Sequence, residues 1–138
     1  MDSRDIYITK FDIARLKDLL QVGIRFKERD RDHLESLQNE LDRAYIVDPT
    51  AIPHNVVTMN SRVCLKEMEA GEENTYLLVF PPDAEIGQNK ISILAPIGTA
   101  ILGYRKGATV SWLVPAGKRK VRIQDILYQP EAAGRYDL

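Results

Sequence analysis

The sequence has one cysteine, Cys64, among 138 residues. An intramolecular disulfide and a cysteine-cluster metal site are therefore excluded, and a reducing cytoplasm is the simplest compartment. Histidine is almost as scarce. His33 and His54 stand about twenty residues apart, with no further ligands at metal-binding spacing. Long apolar runs are missing too. The longest stretch without a charge, Ile91 to Tyr104, has 14 residues and contains Pro96, Gly98 and Gly103. It is too short and too broken to cross a bilayer, so no membrane partner is expected. Asp2, Arg4 and Asp5 leave no early apolar run for a secretory signal. No sign of charge dominates: 19 Lys and Arg stand against 20 Asp and Glu, for a net charge of -1. Such a balance exerts no global pull on nucleic acid or anionic membrane. There is no internal repeat.

What is present is a core. Apolar residues make up 44% of the chain, enough to exclude wholesale disorder. The first third predicts two helices. Thr9 and Asp12 form a start resembling a capping box, and Ile8 and Ile13 have the spacing of a hydrophobic staple. Ile13, Leu16 and Leu20 then share one helical face, widened by Leu19, and Gly23 is a plausible stop. A second helix is expected from Asp30 or Asp32. Leu34, Leu37, Leu41 and Ala44 form its stripe, and Asp48-Pro49 ends it. Two such stripes predict an antiparallel hairpin, a short coiled coil over residues 1–48, reaching about 20–24 Å at 1.5 Å per residue. Residues 49–55, with two prolines, read as a stiff linker.

Residues 56–138 read as mostly extended. Strands are predicted at Val57–Leu65, Thr75–Phe80, Lys90–Leu94, Thr109–Val114 and Lys120–Tyr128. Turns fall at Glu67–Asn74, at Pro81-Pro82 and at Pro115-Ala116-Gly117. Pro96 suits a first helical position, with a short helix over Ile97–Leu102 ended by Gly103. The fold class is α+β: a helical hairpin followed by an antiparallel sheet with one short helix.

Reactive constellations are few. His33 reads as a polar helix residue, His54 as a loop residue and Cys64 as an inert mid-strand thiol. Glycines 98, 103 and 107 lack the spacing of a phosphate loop and suit turns and caps. In the segment Arg25–Glu35, Glu28, Asp30 and Asp32 could in principle hold a divalent metal. Arg25, Lys27, Arg29 and Arg31 are interleaved with them, so a solvated hairpin tip with poor metal affinity is expected. Tyr76, Phe80, Tyr104, Trp112 and Tyr128 are expected mostly in the core. Lys118, Arg119, Lys120 and Arg122 form a local basic turn, read as solvated.

The stretch Lys90-Ile-Ser-Ile-Leu-Ala-Pro-Ile-Gly-Thr-Ala-Ile-Leu-Gly-Tyr-Arg-Lys-Gly107 resembles the C-terminal domain of the GreA/GreB transcription elongation factors. Val63 to Tyr76 looks like the first hairpin of that domain, and the likeness covers residues 55–128. Pro53 to Arg62 and Tyr128 to Tyr136 resemble the Rnk (regulator of nucleoside diphosphate kinase) subgroup, which has a shortened hairpin; that match extends over the whole chain. The resemblance implies an FKBP-like second domain and bacterial RNA polymerase as partner, met at the rim of its secondary channel. The positions that would touch the rim are Leu94, Ala95, Pro96 and Ile97. In the cleavage factors, acidic residues at the tip of a much longer hairpin help to hold a catalytic magnesium ion.

This chain departs from that pattern in its short hairpin and diluted tip. The expectation is therefore a polymerase-binding regulator that competes with Gre factors without stimulating transcript cleavage. It would not be an enzyme and would have no cofactor, resident metal or small-molecule substrate, meeting nucleic acid only through the polymerase complex. The alternative is an active cleavage factor carrying metal on Glu28, Asp30 and Asp32. Prolyl isomerase activity does not follow from an FKBP-like fold.

Overall fold

The structure, a computed structural model, describes residues 6–23, 31–114 and 117–135. It is a mixed α+β fold with three α-helices and two sheets among the described residues.

A short strand, β1 (Tyr7–Thr9), passes directly into α1 (Lys10–Gly23). Thr9 makes the switch: its Oγ1 accepts the Asp12 N–H at 3.0 Å, satisfying an amide that the first turn leaves free. This is half of the expected capping box. The Asp12 carboxylate is engaged elsewhere, as described below. Ile13, Leu16 and Leu20 are buried as their spacing predicts. Leu37 and Leu41 of α2 (Arg31–Asp42) enter the same apolar cluster.

α2 ends at Asp42, not at Asp48 as its stripe suggests. Tyr45-Ile46-Val47 is aromatic and β-branched, a run that favours extended backbone when a partner is available. As β2 (Tyr45–Val47) it lies parallel to β1, with Tyr7 opposite Tyr45 and Thr9 opposite Val47. The Tyr45 N–H donates to the Ile6 carbonyl at 2.9 Å, and the two tyrosine rings stack 5.6 Å apart. Ala44 lies between α2 and β2, still packed partly against the core.

The five expected strands are present as β3 (Arg62–Glu67), β4 (Glu73–Val79), β5 (Lys90–Ser92), β6 (Thr109–Val114) and β7 (Gly117–Tyr128). They form one sheet in the order β5-β4-β3-β7-β6. β3 starts later than expected because Asn60 adopts a left-handed φ of 65° and the Ser61 N–H donates back to the Thr58 carbonyl. The sheet is antiparallel at β3–β4, β3–β7 and β6–β7, but β5 runs parallel to β4, which corrects the wholly antiparallel expectation. Short 3₁₀ turns at Pro81–Asp83 and Ile86–Gln88 form the crossover that a parallel neighbour requires. β7 carries two extra residues against β3. Gln124 falls between Ile123 and Asp125, and Leu127 between Ile126 and Tyr128, where the register shifts.

One side of the sheet is packed. Val63, Leu65, Leu78, Val121 and Ile123 share a buried cluster with Ile6, Ile8, the helix leucines and Ile101 of α3 (Pro96–Ile101). Gly103 allows the closest approach: at φ 82° its missing Cβ would come within 2.9 Å of the Ile6 Cβ. Residues 49–55 begin with a 3₁₀ turn at Pro49–Ala51 and bury Ile52. Gln129 then donates to the carbonyls of Pro53 and Val56. Tyr104 is buried, while Tyr76 and Phe80 pack partly against the cluster.

Candidate partner-docking site

The segment from Ser92 to Ile97 turns the chain from β5 into α3. Leu94 donates its N–H to Ser92 Oγ and Ala95 donates to the Ser92 carbonyl, both at 3.0 Å. Ala95 is extended, at φ -66° and ψ 145°, as a residue before proline prefers. Pro96 then opens α3 where no backbone donor is needed. Thr99 locks the corner from inside, its hydroxyl donating to the Ile93 carbonyl at 2.7 Å. Pro96 is exposed, and Leu94, Ala95 and Ile97 are half-buried, with Leu94 and Ile97 resting on the core. The four expected contact residues are thus consecutive on one braced corner. None of their side chains can donate, accept or titrate, so the corner can make apolar contact but no acid–base or metal chemistry.

Of the tip carboxylates, Glu28 and Asp30 lie outside the described residues. Asp32 falls in the first turn of α2, with its side chain also outside them. Among the described residues no group of His, Cys, Asp and Glu could hold a metal ion. His54 is exposed in a turn, and the His33 side chain is outside the described residues. Cys64 is half-buried on β3. Burial pushes its thiol above the ordinary range and the nearby Glu73 and Asp125 carboxylates add to this, which disfavours the nucleophilic thiolate. In the basic turn, Arg119 pairs with Glu67 at 3.7 Å.

A buried polar network escaped the sequence reading. The Asp12 side chain is only 1% exposed and takes the Met59 N–H at 3.1 Å and the Arg15 guanidinium at 2.6 Å. Arg15 in turn lies over the rings of Phe11 and Phe80, tying α1 to the sheet. Beside it, Thr58 donates to the buried Glu131 carboxylate at 2.7 Å. Burial pushes the Asp12 carboxyl up from 3.8 to about 6. The Met59 amide and Arg15 hold it down, and Glu131 adds to the rise. Arg15, one helical turn on from Asp12, is the only partner whose spacing the sequence shows; Met59 and Glu131 lie far along the chain and carry no local mark. Asp12 is visible only as a helix-start residue.

The arrangement agrees with known proteins at two levels. Residues 52–128 match the family model for the C-terminal region of the transcription elongation factors GreA/GreB, and residues 4–47 match the model of the Rnk N-terminus. The chain belongs to the GreA/GreB transcription elongation factor family. It is 41% identical over 103 residues to the regulator of nucleoside diphosphate kinase of Escherichia coli strain K12, covering 74% of this chain and 76% of that one. It is 35% identical over 96 residues to the transcription elongation factor GreA of Pelobacter propionicus, covering 70% of this chain and 61% of that one. Among solved structures it resembles a prokaryotic transcription elongation factor GreA/GreB from Nitrosomonas europaea. The TM-score is 0.72 at 39% identity, over 90% of this chain and 100% of that one. Among the described residues no helix is long and apolar enough to cross a membrane.

Proposed function

We propose that this protein is a regulator of transcription that binds bacterial RNA polymerase at the rim of the secondary channel and competes with Gre factors without stimulating transcript cleavage. In this reading residues 56–138 are the FKBP-like docking domain and residues 49–55 its connection to a short helical hairpin, 1–48. Leu94, Ala95, Pro96 and Ile97 form the apolar contact. The observation that carries the reading is reach. α1 has 14 residues and α2 has 12, about 21 and 18 Å of helix, far less than the hairpin of a cleavage factor. A corner held at the rim then leaves Glu28, Asp30 and Asp32 too distant to share the polymerase magnesium ion.

The test is retention on immobilised core polymerase. Pro96→Asp and Ile97→Asp place charge where an apolar contact is needed and should weaken binding at least about tenfold, the scale of losing one interface anchor. Equal retention of wild type and variants, with unchanged circular dichroism, would remove this docking surface. In stalled elongation complexes the wild-type protein should suppress GreA-stimulated RNA shortening and cause none itself. Magnesium-dependent shortening that disappears when Glu28, Asp30 and Asp32 become Ala would establish the cleavage factor instead.

A further inference from the structure

Two clefts meet at Leu127, where the register of β7 shifts and the bulge leaves the leucine 53% exposed. On one side Asn60, Arg62, Leu77 and Tyr128 line a groove of about 490 Å³. On the other, His54, Ile126, Gln129, Ala132 and Ala133 line a second, of about 360 Å³. Leu127 and Tyr128 belong to both. Both clefts open broadly to solvent, which suits a segment laid along the surface better than an enclosed small molecule.

Two polar groups in these clefts are unanswered. Arg62 is exposed at the start of β3, between Leu77 and Tyr128 of the neighbouring strands, and makes no ion pair among the described residues. Gln129 is only 3% exposed. Its amide nitrogen donates to the Pro53 and Val56 carbonyls at 2.9 and 2.7 Å, which fixes the way the amide points. Its Oε1 is left buried, with no hydrogen-bond partner among the described residues. Among the described residues no acid lines either cleft. The acids that adjoin them in sequence are engaged: Asp125 pairs with Lys106 at 3.2 Å, and Glu131 takes the Thr58 hydroxyl in the interior. Glu67 and Glu73 lie at the opposite ends of β3 and β4.

We infer that the paired clefts bind an extended acidic peptide segment of a partner protein. A carboxylate of the segment meets the Arg62 guanidinium, whose planar fork matches it in two parallel hydrogen bonds. An aliphatic side chain beside that carboxylate rests on Leu77, Leu127 and Tyr128. A main-chain N–H of the segment supplies the donor that Gln129 Oε1 lacks. A peptide carries anion, apolar side chain and N–H donor together within a few residues. A free phosphate brings the anion alone. A single-stranded nucleic acid needs a run of cations along its backbone, and Arg62 is the one Lys or Arg that lines these clefts among the described residues. The surface is separate from the corner at Leu94–Ile97, and the inference stands or falls independently of polymerase binding.

The test is titration of the isotope-labelled full chain, followed by amide NMR, with the blocked peptide Ala-Leu-Glu-Leu-Ala. Shifts should concentrate at Asn60, Arg62, Leu77, Leu127 and Gln129. Arg62→Glu and Leu127→Asp alter exposed side chains, leave the rest of the spectrum in place, and should each raise the apparent dissociation constant at least about tenfold. Lys in place of the peptide's Glu should abolish binding to wild type and restore it to Arg62→Glu, because the charge pair is inverted and not removed. Methylating the peptide's main-chain nitrogens should weaken binding while the carboxylate contact remains. No shifts at millimolar peptide, shifts elsewhere on the chain, or a response to inorganic phosphate or an oligothymidylate but not to the peptide would each overturn the inference.

Discussion

Asp12 sits where water hardly reaches, yet its carboxylate is held by an amide and a guanidinium. Two tendencies compete there, and burial wins: the group titrates near 6 when folded and near 3.8 when unfolded. Between those values the folded chain binds the extra proton. The contribution to stability is therefore complete below about 3.8 and is lost as pH rises through about 6. The difference between 3.8 and about 6 corresponds to roughly 3 kcal/mol. The carboxyls of Glu67 and Asp125 are held low by neighbouring donors and work in the opposite sense, so the comparison must be with a variant. Asp12→Asn keeps an acceptor for the Met59 N–H and cannot ionise. Relative to wild type it should gain up to about 3 kcal/mol between pH 4 and pH 8 in urea unfolding. Parallel stability curves for the two proteins would show that Asp12 is not the titrating group. The sequence marks Asp12 as a helix-start residue. Its role as a bridge depends on Met59, which only the folded chain brings within reach.

At the level of elements, α3 shows how one small residue seats a whole segment. A Cβ on Gly98 would collide with the Ser92 carbonyl and press to 3.2 Å from Ile93 Cα and Leu78 Cδ1. Backbone cannot yield as a side-chain end does, so Gly98→Ala should cost about 1–3 kcal/mol, read as a lower melting midpoint, despite the better helix propensity of alanine. An unchanged midpoint would mean that α3 can lift from the sheet freely. Much at this scale was legible. Helix stripes, the bounds of β6, the proline start of α3 and the glycine that ends it follow from period, turn chemistry and capping, all local. The end of α2 did not. Ala44 continues the stripe, and only the stacking of Tyr45 on Tyr7 and the pairing of β2 with β1 explain why the chain leaves the helix earlier. The direction of β5 was equally hidden, because two short 3₁₀ turns decide it rather than the strand's own residues.

For the whole molecule the question is how many pieces unfold. Ile6, Ile8, Leu16 and Leu37 from the first third share one cluster with Val63, Leu78 and Ile123 from the sheet. Burying each such side chain is worth about 1.5–3 kcal/mol, which neither part would retain alone. Urea unfolding followed by the helix signal in circular dichroism and by fluorescence of the single tryptophan should give one coincident transition. Two separated midpoints would show that the helices and the sheet are held independently.

Period and composition settled by themselves that the chain would bury two helical stripes and five strands, because those patterns reflect side-chain geometry within a few residues. Motif order carried the family, and with it the candidate corner at Leu94–Ile97. The tertiary structure decided the parallel pairings of β1 with β2 and of β5 with β4, and the hydrogen bond that the buried Asp12 accepts from the Met59 N–H. Each of these joins residues distant along the chain, and their cost or benefit exists only once the surrounding surface has been removed from solvent.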